Sequence, residues 1–177
     1  KSASRWGTNY NGEYFAIGVG GALAGRGADL FIIDDPHSEQ DAKQNRADVF
    51  LPAWEWFQSG PIQRLMPGGA IIVVMTRWSK LDLTGQILNQ VTKNDEADPW
   101  EIVEFPAILE DKQGQEVPLW PEFWPLEELQ QKRSVLDIRY WNAQYLQNPT
   151  SEEGALIKRE WWNIWEEEDP PECEFII

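Results

Sequence analysis

The sequence is poor in cysteine, with one such residue among 177, and this excludes an internal disulfide and a cysteine-rich zinc site. No apolar run approaches the roughly 18 residues that span a membrane, and no signal-peptide pattern opens the chain, so we expect no membrane partner. The glycine-rich stretch 18–27 lacks the Lys-Ser or Lys-Thr ending that reaches phosphate and Mg²⁺. It is interpreted as a turn or a bulge.

Basic residues are also few. The chain has 15 lysines and arginines against 30 aspartates and glutamates, a net charge of -15. Because nucleic-acid-binding proteins usually carry a basic face, these residues alone are not expected to bind DNA. The chain starts at Lys1 and ends in the apolar run 175–177, so we expect it to be part of a longer protein. Its 11 tryptophans predict aromatic packing where elements meet.

One stretch organises the rest of the sequence. The apolar residues 30–33 run directly into Asp34, Asp35, Pro36 and His37. Such a run predicts a strand covered on both faces, with ligand chemistry at its carboxyl end. The pattern is that of a Walker B element, in which Asp34 holds Mg²⁺ and Asp35 orients the attacking water. The alternative is a strand that closes in an Asp-Pro turn, with His37 as a hydrogen-bonding loop residue.

Two features precede this strand in the sequence, a predicted hairpin and an arginine in the glycine-rich stretch. The dipeptide Asn11-Gly12 predicts a hairpin turn, followed by a strand over 14–19. Arg26 lies one strand length before the acids, where a guanidinium on a glycine-rich loop could reach a phosphate. The alternative interpretation is an ordinary surface arginine.

A second central strand is predicted beyond a helix. A capping box begins at Ser38, and apolar spacing predicts a helix over 39–58, kinked or split at Pro52. A turn over 65–69 then leads to the apolar run 70–75, which has strong β-propensity. Two strands joined by a helix of this length form a right-handed βαβ unit, so their carboxyl ends share one edge of the sheet.

That shared edge would bring together Asp34, Asp35, Thr76 and Arg77. ATPases of the RecA-like class, the ASCE group of P-loop NTPases, place a polar residue beside the Walker B strand to sense the γ-phosphate. Thr76 has that position, and Arg77 beside it is a candidate for contacting the nucleotide. The alternative for Thr76 is a threonine that only ends a strand.

The rest of the sequence predicts two more strands and a helical subdomain. The expected elements are a helix capped by Asp82 and ending near Val91, an edge strand over 100–105, a helix over 126–134, a helix capped by Asp137 and ended at Asn148-Pro149, and a short strand over 154–158. We therefore expect an ATPase core at 1–105, a helical subdomain at 106–165, and a charged linker with the first strand of another domain at 166–177.

Several short motifs together resemble the large subunit of tailed-phage terminases. They are, in chain order, Gly18-Val19-Gly20-Gly21, Gly25-Arg26-Gly27-Ala28-Asp29-Leu30, Ile32-Ile33-Asp34-Asp35-Pro36, Met75-Thr76-Arg77-Trp78, Asp82-Leu83-Thr84-Gly85, Phe105-Pro106-Ala107, Leu119-Trp120-Pro121-Glu122 and Tyr145-Leu146-Gln147-Asn148-Pro149. They cover most of residues 14–165, and their order and spacing are more specific than any single motif. By this resemblance the chain is the later part of a terminase ATPase domain.

The resemblance implies an α/β, RecA-like fold with a mainly parallel sheet flanked by helices and a small C-terminal helical subdomain. It implies a DNA-packaging ATPase that uses ATP and Mg²⁺, with Asp34 as metal ligand and Asp35 as catalytic acid. Thr76 would couple hydrolysis to movement, and Arg26 is similar to an arginine that acts on nucleotide, either in its own subunit or in a neighbour. The Walker A loop would precede this chain, and an RNase H-like endonuclease domain would follow it.

The resemblance also implies the partners and the place of action. They are double-stranded DNA bound by the full-length protein, the portal protein, the small terminase subunit and further copies of the chain, at the procapsid portal vertex in the host cytoplasm. Because the phosphate-binding loop is missing from these 177 residues, we expect them alone not to hydrolyse ATP.

Three alternatives stay open. Another nucleic-acid motor, such as a helicase, should lack the motifs at 75–78 and 145–149. A two-metal nuclease could use Asp34 and Asp35, but adjacent residues on a strand point to opposite faces unless the strand has ended. A non-catalytic assembly module would bind the portal or another partner protein through its tryptophan-rich surface.

Overall fold

The structure, a computed structural model, describes residues 4–44, 46–94 and 99–150. Its elements are β1 (Arg5–Gly7), β2 (Glu13–Phe15), β3 (Ala28–Asp34), α1 (Glu39–Gln44), α2 (Ala47–Ser59), α3 (Pro61–Arg64), β4 (Leu65–Val74), α4 (Leu83–Lys93), β5 (Ile108–Glu110), β6 (Glu116–Pro118), α5 (Leu126–Val135), α6 (Ile138–Tyr140) and a π-helical turn (Trp141–Tyr145). Within these ranges the strands form three two-stranded sheets. None of the described helices is both long and apolar enough to cross a membrane.

The predicted N-terminal hairpin is confirmed, because β1 and β2 pair antiparallel. Asn11 lies in the turn with φ 63°, a left-handed conformation that asparagine tolerates better than most residues. The prediction of a strand over 14–19 is wrong beyond Phe15, where β2 ends. A tight turn follows instead, in which the Gly21 N–H donates to the Gly18 carbonyl at 2.9 Å.

The parallel pair of β3 and β4 is the element on which the candidate site is built. The two strands run in register from Leu30 opposite Ala70 to Asp34 opposite Val74. Parallel pairing of the two apolar runs is therefore confirmed. The predicted turn over 65–69 is wrong, because β4 already begins at Leu65 and the pairing shifts register near its start. This irregularity takes up the extra residues of β4 without ending the strand.

The helical segment between the two strands breaks at a different residue from the one predicted. The capping box is confirmed, since the Ser38 N–H donates to Asp41 Oδ2 at 2.7 Å and the Asp41 N–H to Ser38 Oγ at 3.3 Å. The break lies at Arg46, whose backbone is extended with φ -112° and ψ 145°. Pro52 lies inside α2 and does not end it. Pro52 is the sixth residue of α2, so its missing N–H removes one backbone hydrogen bond of the helix.

Only one face of the parallel pair is packed within the described part of the chain. The buried cluster where α2 and α4 cover the sheet consists of Ile33, Phe57, Leu83 and Ile87. Apolar side chains on the other face keep large exposed fractions: Leu30 50%, Ile32 63%, Ile72 46% and Val74 53%. The described residues therefore differ from the predicted strand covered on both faces. Both helices follow β3 in the chain and pack on the same side of the sheet.

The predicted edge strand over 100–105 is wrong, since these residues form no strand. Ile102, Val103 and Phe105 are 56%, 62% and 64% exposed. In the described structure, the apolar residues of this segment therefore do not pair with another strand. Trp100 is the exception, because it packs against the first core cluster.

A second cluster forms the core of the C-terminal part. Its buried residues are Ile108, Leu129 and Trp141. The helix predicted over 126–134 is confirmed as α5, but the hairpin of β5 and β6 adds strands to a subdomain that was expected to be helical. The predicted cap at Asp137 is confirmed, and α6 continues into the π-helical turn, which ends at Tyr145, shortly before the predicted end at Asn148-Pro149. The strand, linker and further domain predicted after residue 150 lie outside the described residues.

Candidate functional site

The chain turns sharply at the carboxyl end of β3, and we call residues 34–37 the acidic turn. Asp34 is the last residue of the strand and is exposed. Asp35 has φ 42°, in the left-handed region, and its N–H donates to the Val74 carbonyl at 2.9 Å. Aspartate, like asparagine, adopts this region more readily than most residues. The left-handed residue ends the strand, so the two carboxylates are not held on opposite faces by strand geometry.

Asp35 contacts Thr76, two residues beyond the end of β4, as the parallel arrangement predicted. The Thr76 N–H donates to Asp35 Oδ1 at 3.3 Å. This long hydrogen bond joins the carboxyl ends of the two strands at one edge. It uses the backbone amide of Thr76, and the role expected for the Thr76 hydroxyl stays a prediction.

The loop after Thr76, residues 76–82, is organised around the carboxylate of Asp82. This side chain is fully buried. It accepts hydrogen bonds from the N–H groups of Trp78 at 2.9 Å, Ser79 at 3.1 Å and Gly85 at 2.8 Å. The bond to Gly85 caps α4, which confirms the predicted cap. The other two bonds fold the loop back onto the start of the helix.

Arg77 completes the set of partners of Asp82. Its Nε lies 3.1 Å from Asp82 Oδ2, and its side chain is only 13% exposed. Its Nη2 also donates to the Ser79 carbonyl at 3.4 Å. The structure thus places Arg77 as a buried ion-pair partner that stiffens the loop. Its expected contact with a nucleotide stays a prediction and would require the guanidinium to leave Asp82.

His37 ties the acidic turn to helix α4. Its Nε2 accepts a hydrogen bond from the Leu83 N–H at 2.9 Å, and its ring meets Phe50 edge-on with centroids 5.0 Å apart. Burial lowers the pKa of His37 from its ordinary value of 6.5, against the opposing effect of the negative charges of Asp82 and Asp41. This agrees with the interpretation of His37 as a hydrogen-bonding residue and gives it a specific partner.

The lowered pKa of His37 gives this residue a pH-dependent contribution to the stability of the fold. Because His37 binds a proton less readily in the folded chain, its contribution to stability is present above pH 6.5. That contribution is lost as the pH falls through the folded-state pKa, because the unfolded chain takes up the proton first.

Arg26 lies at the other end of β3. Its Nη1 is 3.0 Å from Glu13 Oε1, and its guanidinium stacks 4.0 Å from the centre of the Phe15 ring. The seven residues of β3 separate it from the acidic turn by about 20 Å. A hydrogen bond from Arg5, aided by the charges of Arg5 and Arg26, lowers the pKa of Glu13. The structure does not bring Arg26 to Asp34 or Asp35 of its own chain, and action on a neighbouring subunit stays a prediction.

The two carboxylates of the acidic turn fit Mg²⁺ in their chemistry. Asp34 and Asp35 are exposed hard oxygen donors at a strand end. Within the described ranges, no group of three or more histidine, cysteine or acidic side chains is placed to hold a metal ion. Mg²⁺ commonly completes its coordination with water and substrate phosphate oxygens, so one or two carboxylates suit it.

The tight approach of the loop 76–82 to α4 gives a testable prediction at Gly85. A Cβ added there would overlap the Lys80 carbonyl oxygen. Gly85→Ala should therefore destabilise the chain by about 1–3 kcal/mol, although alanine favours a helix. Gly18→Ala is the matched control, because its Cβ would meet no atom within 4 Å. Urea unfolding that gave both variants the same stability would contradict the close approach.

The acidic turn and the loop 76–82 therefore form one connected site, joined by the contact of Asp35 with Thr76 and by the contact of His37 with Leu83. The sequence did not reveal the second contact or the central place of Asp82. No family model matches the chain, and no curated protein matches it.

Proposed function

We propose that this chain is the later part of the ATPase domain of a viral DNA-packaging motor, the large subunit of a tailed-phage terminase. The observation that supports this most strongly is the contact of Asp35 Oδ1 with the Thr76 N–H, between the ends of two parallel strands. A catalytic acid beside a residue able to sense the γ-phosphate is the arrangement that the motifs require. ATP hydrolysis by the full-length protein would drive DNA into a procapsid.

The proposed fold is an α/β, RecA-like core. The parallel pairing of β3 with β4 and the helices α2 and α4 on one face support it. Apolar side chains on the other face also support it, because a parallel sheet is normally covered on both sides. Strands and helices from the rest of the protein would cover that face and extend the sheet.

The proposed mechanism assigns a separate task to each acid. Asp34 would hold Mg²⁺, which when bound neutralises charge on the phosphates. The carboxylate of Asp35 would accept a hydrogen bond from water and align it for in-line attack. The Thr76 amide steadies Asp35 at 3.3 Å and would pass any shift of that carboxylate to the loop 76–82. Arg26 and Arg77 are the candidates for contacting the nucleotide.

The charge of the chain limits where DNA would bind. With a net charge of -15, these residues are proposed to drive translocation, while DNA is held elsewhere in the full-length protein. The portal protein, the small terminase subunit and further copies of the chain are the proposed partners. Endonuclease activity is proposed for the full-length protein alone.

A second candidate function, a non-catalytic assembly module, is favoured by the aromatic surface of the C-terminal part. Trp120 and Phe123 are each 60% exposed, with rings stacked at 5.0 Å. Exposed tryptophan is enriched at protein interfaces. Portal binding that did not depend on nucleotide, in a full-length protein without ATPase activity, would favour this candidate.

The experiment that tests the proposed motor replaces Thr76 with valine in the full-length protein. Thr76→Val keeps the β-branched shape and the amide that contacts Asp35, and it removes only the hydroxyl. We expect ATP still to bind while DNA packaging stops, whether or not hydrolysis persists. Filter binding of ATP and a packaging assay measure the two properties separately.

Thr92→Val is the matched control for this variant. The Thr92 hydroxyl donates to the Leu88 carbonyl of its own helix at 3.1 Å, away from the acidic turn. It should package DNA normally. If Thr76→Val also packaged normally, Thr76 would be only a strand-ending residue, and Arg77 would become the better candidate for coupling.

A further inference from the structure

A buried contact joins the acidic turn to helix α4 in addition to the contact of Asp35 with Thr76. His37 Nε2 accepts a hydrogen bond from the Leu83 N–H at 2.9 Å. Leu83 is the first residue of α4 and directly follows the helix cap Asp82. The acidic turn is therefore fastened at two points, one at the first residue of the loop 76–82 and one directly after the loop.

The two contacts differ in strength. The contact of Asp35 with Thr76 is long, at 3.3 Å, and is exposed to solvent. The contact of His37 with Leu83 is shorter and buried, since His37 is only 6% exposed. A buried hydrogen bond is electrostatically stronger than one that competes with water. His37 is thus the firmer of the two connections.

The His37 contact depends on one protonation state of the ring. The first N–H groups of a helix have no partner within the helix, and Nε2 supplies one to Leu83. To accept that bond Nε2 must be unprotonated, so the neutral ring carries its proton on Nδ1. Burial favours the neutral ring, whereas Asp82 and Asp41 are the charges that oppose this effect. Phe50, the aromatic ring packed against His37, has no charge.

We infer that His37 is a positioning residue of the proposed motor, which holds helix α4 to the acidic turn so that movement of Asp35 during hydrolysis is transmitted to α4. This inference rests on the proposed function. Without the tether, a shift of Asp35 would have to reach α4 through the long, exposed contact with Thr76, which could break while α4 stayed in place. His37 would then govern how much DNA moves for each ATP, and not how fast ATP is hydrolysed.

Two substitutions separate the hydrogen bond from the packing. His37→Phe keeps an aromatic ring beside Phe50 but has no acceptor for the Leu83 N–H. His37→Gln loses the ring but places an amide oxygen at a similar reach, so it can accept that bond. In the full-length protein, His37→Phe should raise the ATP consumed per base pair packaged by roughly 2- to 10-fold. His37→Gln should stay near the wild-type ratio, and neither variant should change kcat for ATP substantially.

The pH profile distinguishes a positioning role from a structural one. Protonation of His37 removes the acceptor, so the wild-type ATP cost per base pair should rise as the pH falls below 6.5 towards the value of His37→Phe. His37→Gln does not titrate in this range and should lack that rise. A purely structural role would lower hydrolysis and packaging together in both variants and would overturn the inference.

A direct test of the contact uses the single histidine of the 177-residue chain. Nitrogen-15 NMR should show His37 at neutral pH with its proton on Nδ1, and the Leu83 amide signal should move in His37→Phe. A proton on Nε2 overturns the inference, whether or not the full-length protein packages DNA. A wild-type protein that packages no DNA overturns the proposed function, and the inference with it. Normal coupling in His37→Phe, when the wild type packages DNA, overturns the inference alone.

Discussion

Replacing Asp35 with asparagine in the full-length protein is expected to slow ATP hydrolysis by about 100-fold or more, while nucleotide binding is kept. Asparagine has nearly the same size and can still accept the Thr76 N–H, so the contact at the strand ends should survive. It cannot accept a proton from the attacking water. Steady-state phosphate release and equilibrium binding of labelled ATP measure the two effects.

Two further substitutions help to interpret the loss of ATP hydrolysis expected for Asp35→Asn. Asp34→Asn should also weaken the response to Mg²⁺, because this acid is the proposed metal ligand. Asp29→Asn is the matched control, since Asp29 is another exposed carboxylate on β3 but lies near the opposite end of the strand. It should hydrolyse ATP normally. Near-normal turnover by Asp35→Asn would remove the catalytic assignment and leave Glu39 or an acid elsewhere in the protein to be considered.

The part of the site that could be predicted from the sequence is the part set by local pattern and sheet geometry. The two apolar runs predicted two strands, and the helix between them predicted parallel pairing. From this alone Asp35 and Thr76 were expected at one edge, where they meet. Asp82 as a helix cap and Asn11 in a hairpin turn also follow from short-range rules.

The part that could not be predicted depends on packing between segments distant in sequence. His37 meets Leu83 across 46 positions, and no periodicity encodes such a pairing. The break at Arg46 is likewise not signalled by the sequence, since arginine favours a helix and the helix breaker Pro52 lies inside α2. Ile32 is exposed because no layer among the described residues covers its face of the sheet. An apolar run in the sequence does not show whether such a layer is present.

Asp35 and Asp82 are two acids with opposite environments within one connected site. Asp35 is exposed and accepts one long hydrogen bond from a backbone amide, so its carboxylate stays available to water. Asp82 is fully buried and accepts bonds from three backbone N–H groups and from Arg77. The first environment suits a chemical role and the second a structural one.

Replacing Asp82 with alanine should accordingly destabilise the 177-residue chain by about 3–5 kcal/mol. The substitution removes the acceptor of three N–H groups and leaves the guanidinium of Arg77 partly buried without its counter-charge. Single domains are stable by only about 5–15 kcal/mol, so the variant could lose much of its folded population. Urea unfolding followed by tryptophan fluorescence would measure the loss.

Asp137→Ala is the matched control, because Asp137 also caps a helix, accepting from the Arg139 N–H at 2.8 Å. Its side chain is 49% exposed and is not the centre of a buried loop, so the loss should be only about 0.5–2 kcal/mol. A double-mutant cycle that combines Asp82→Ala with Arg77→Met isolates the ion pair, since methionine removes the charge that Asp82→Ala strands. The double variant should be more stable than Asp82→Ala alone. If Asp82→Ala cost no more than Asp137→Ala, the loop 76–82 would not depend on the buried carboxylate, and its proposed role as a stiff connection between Thr76 and α4 would fail.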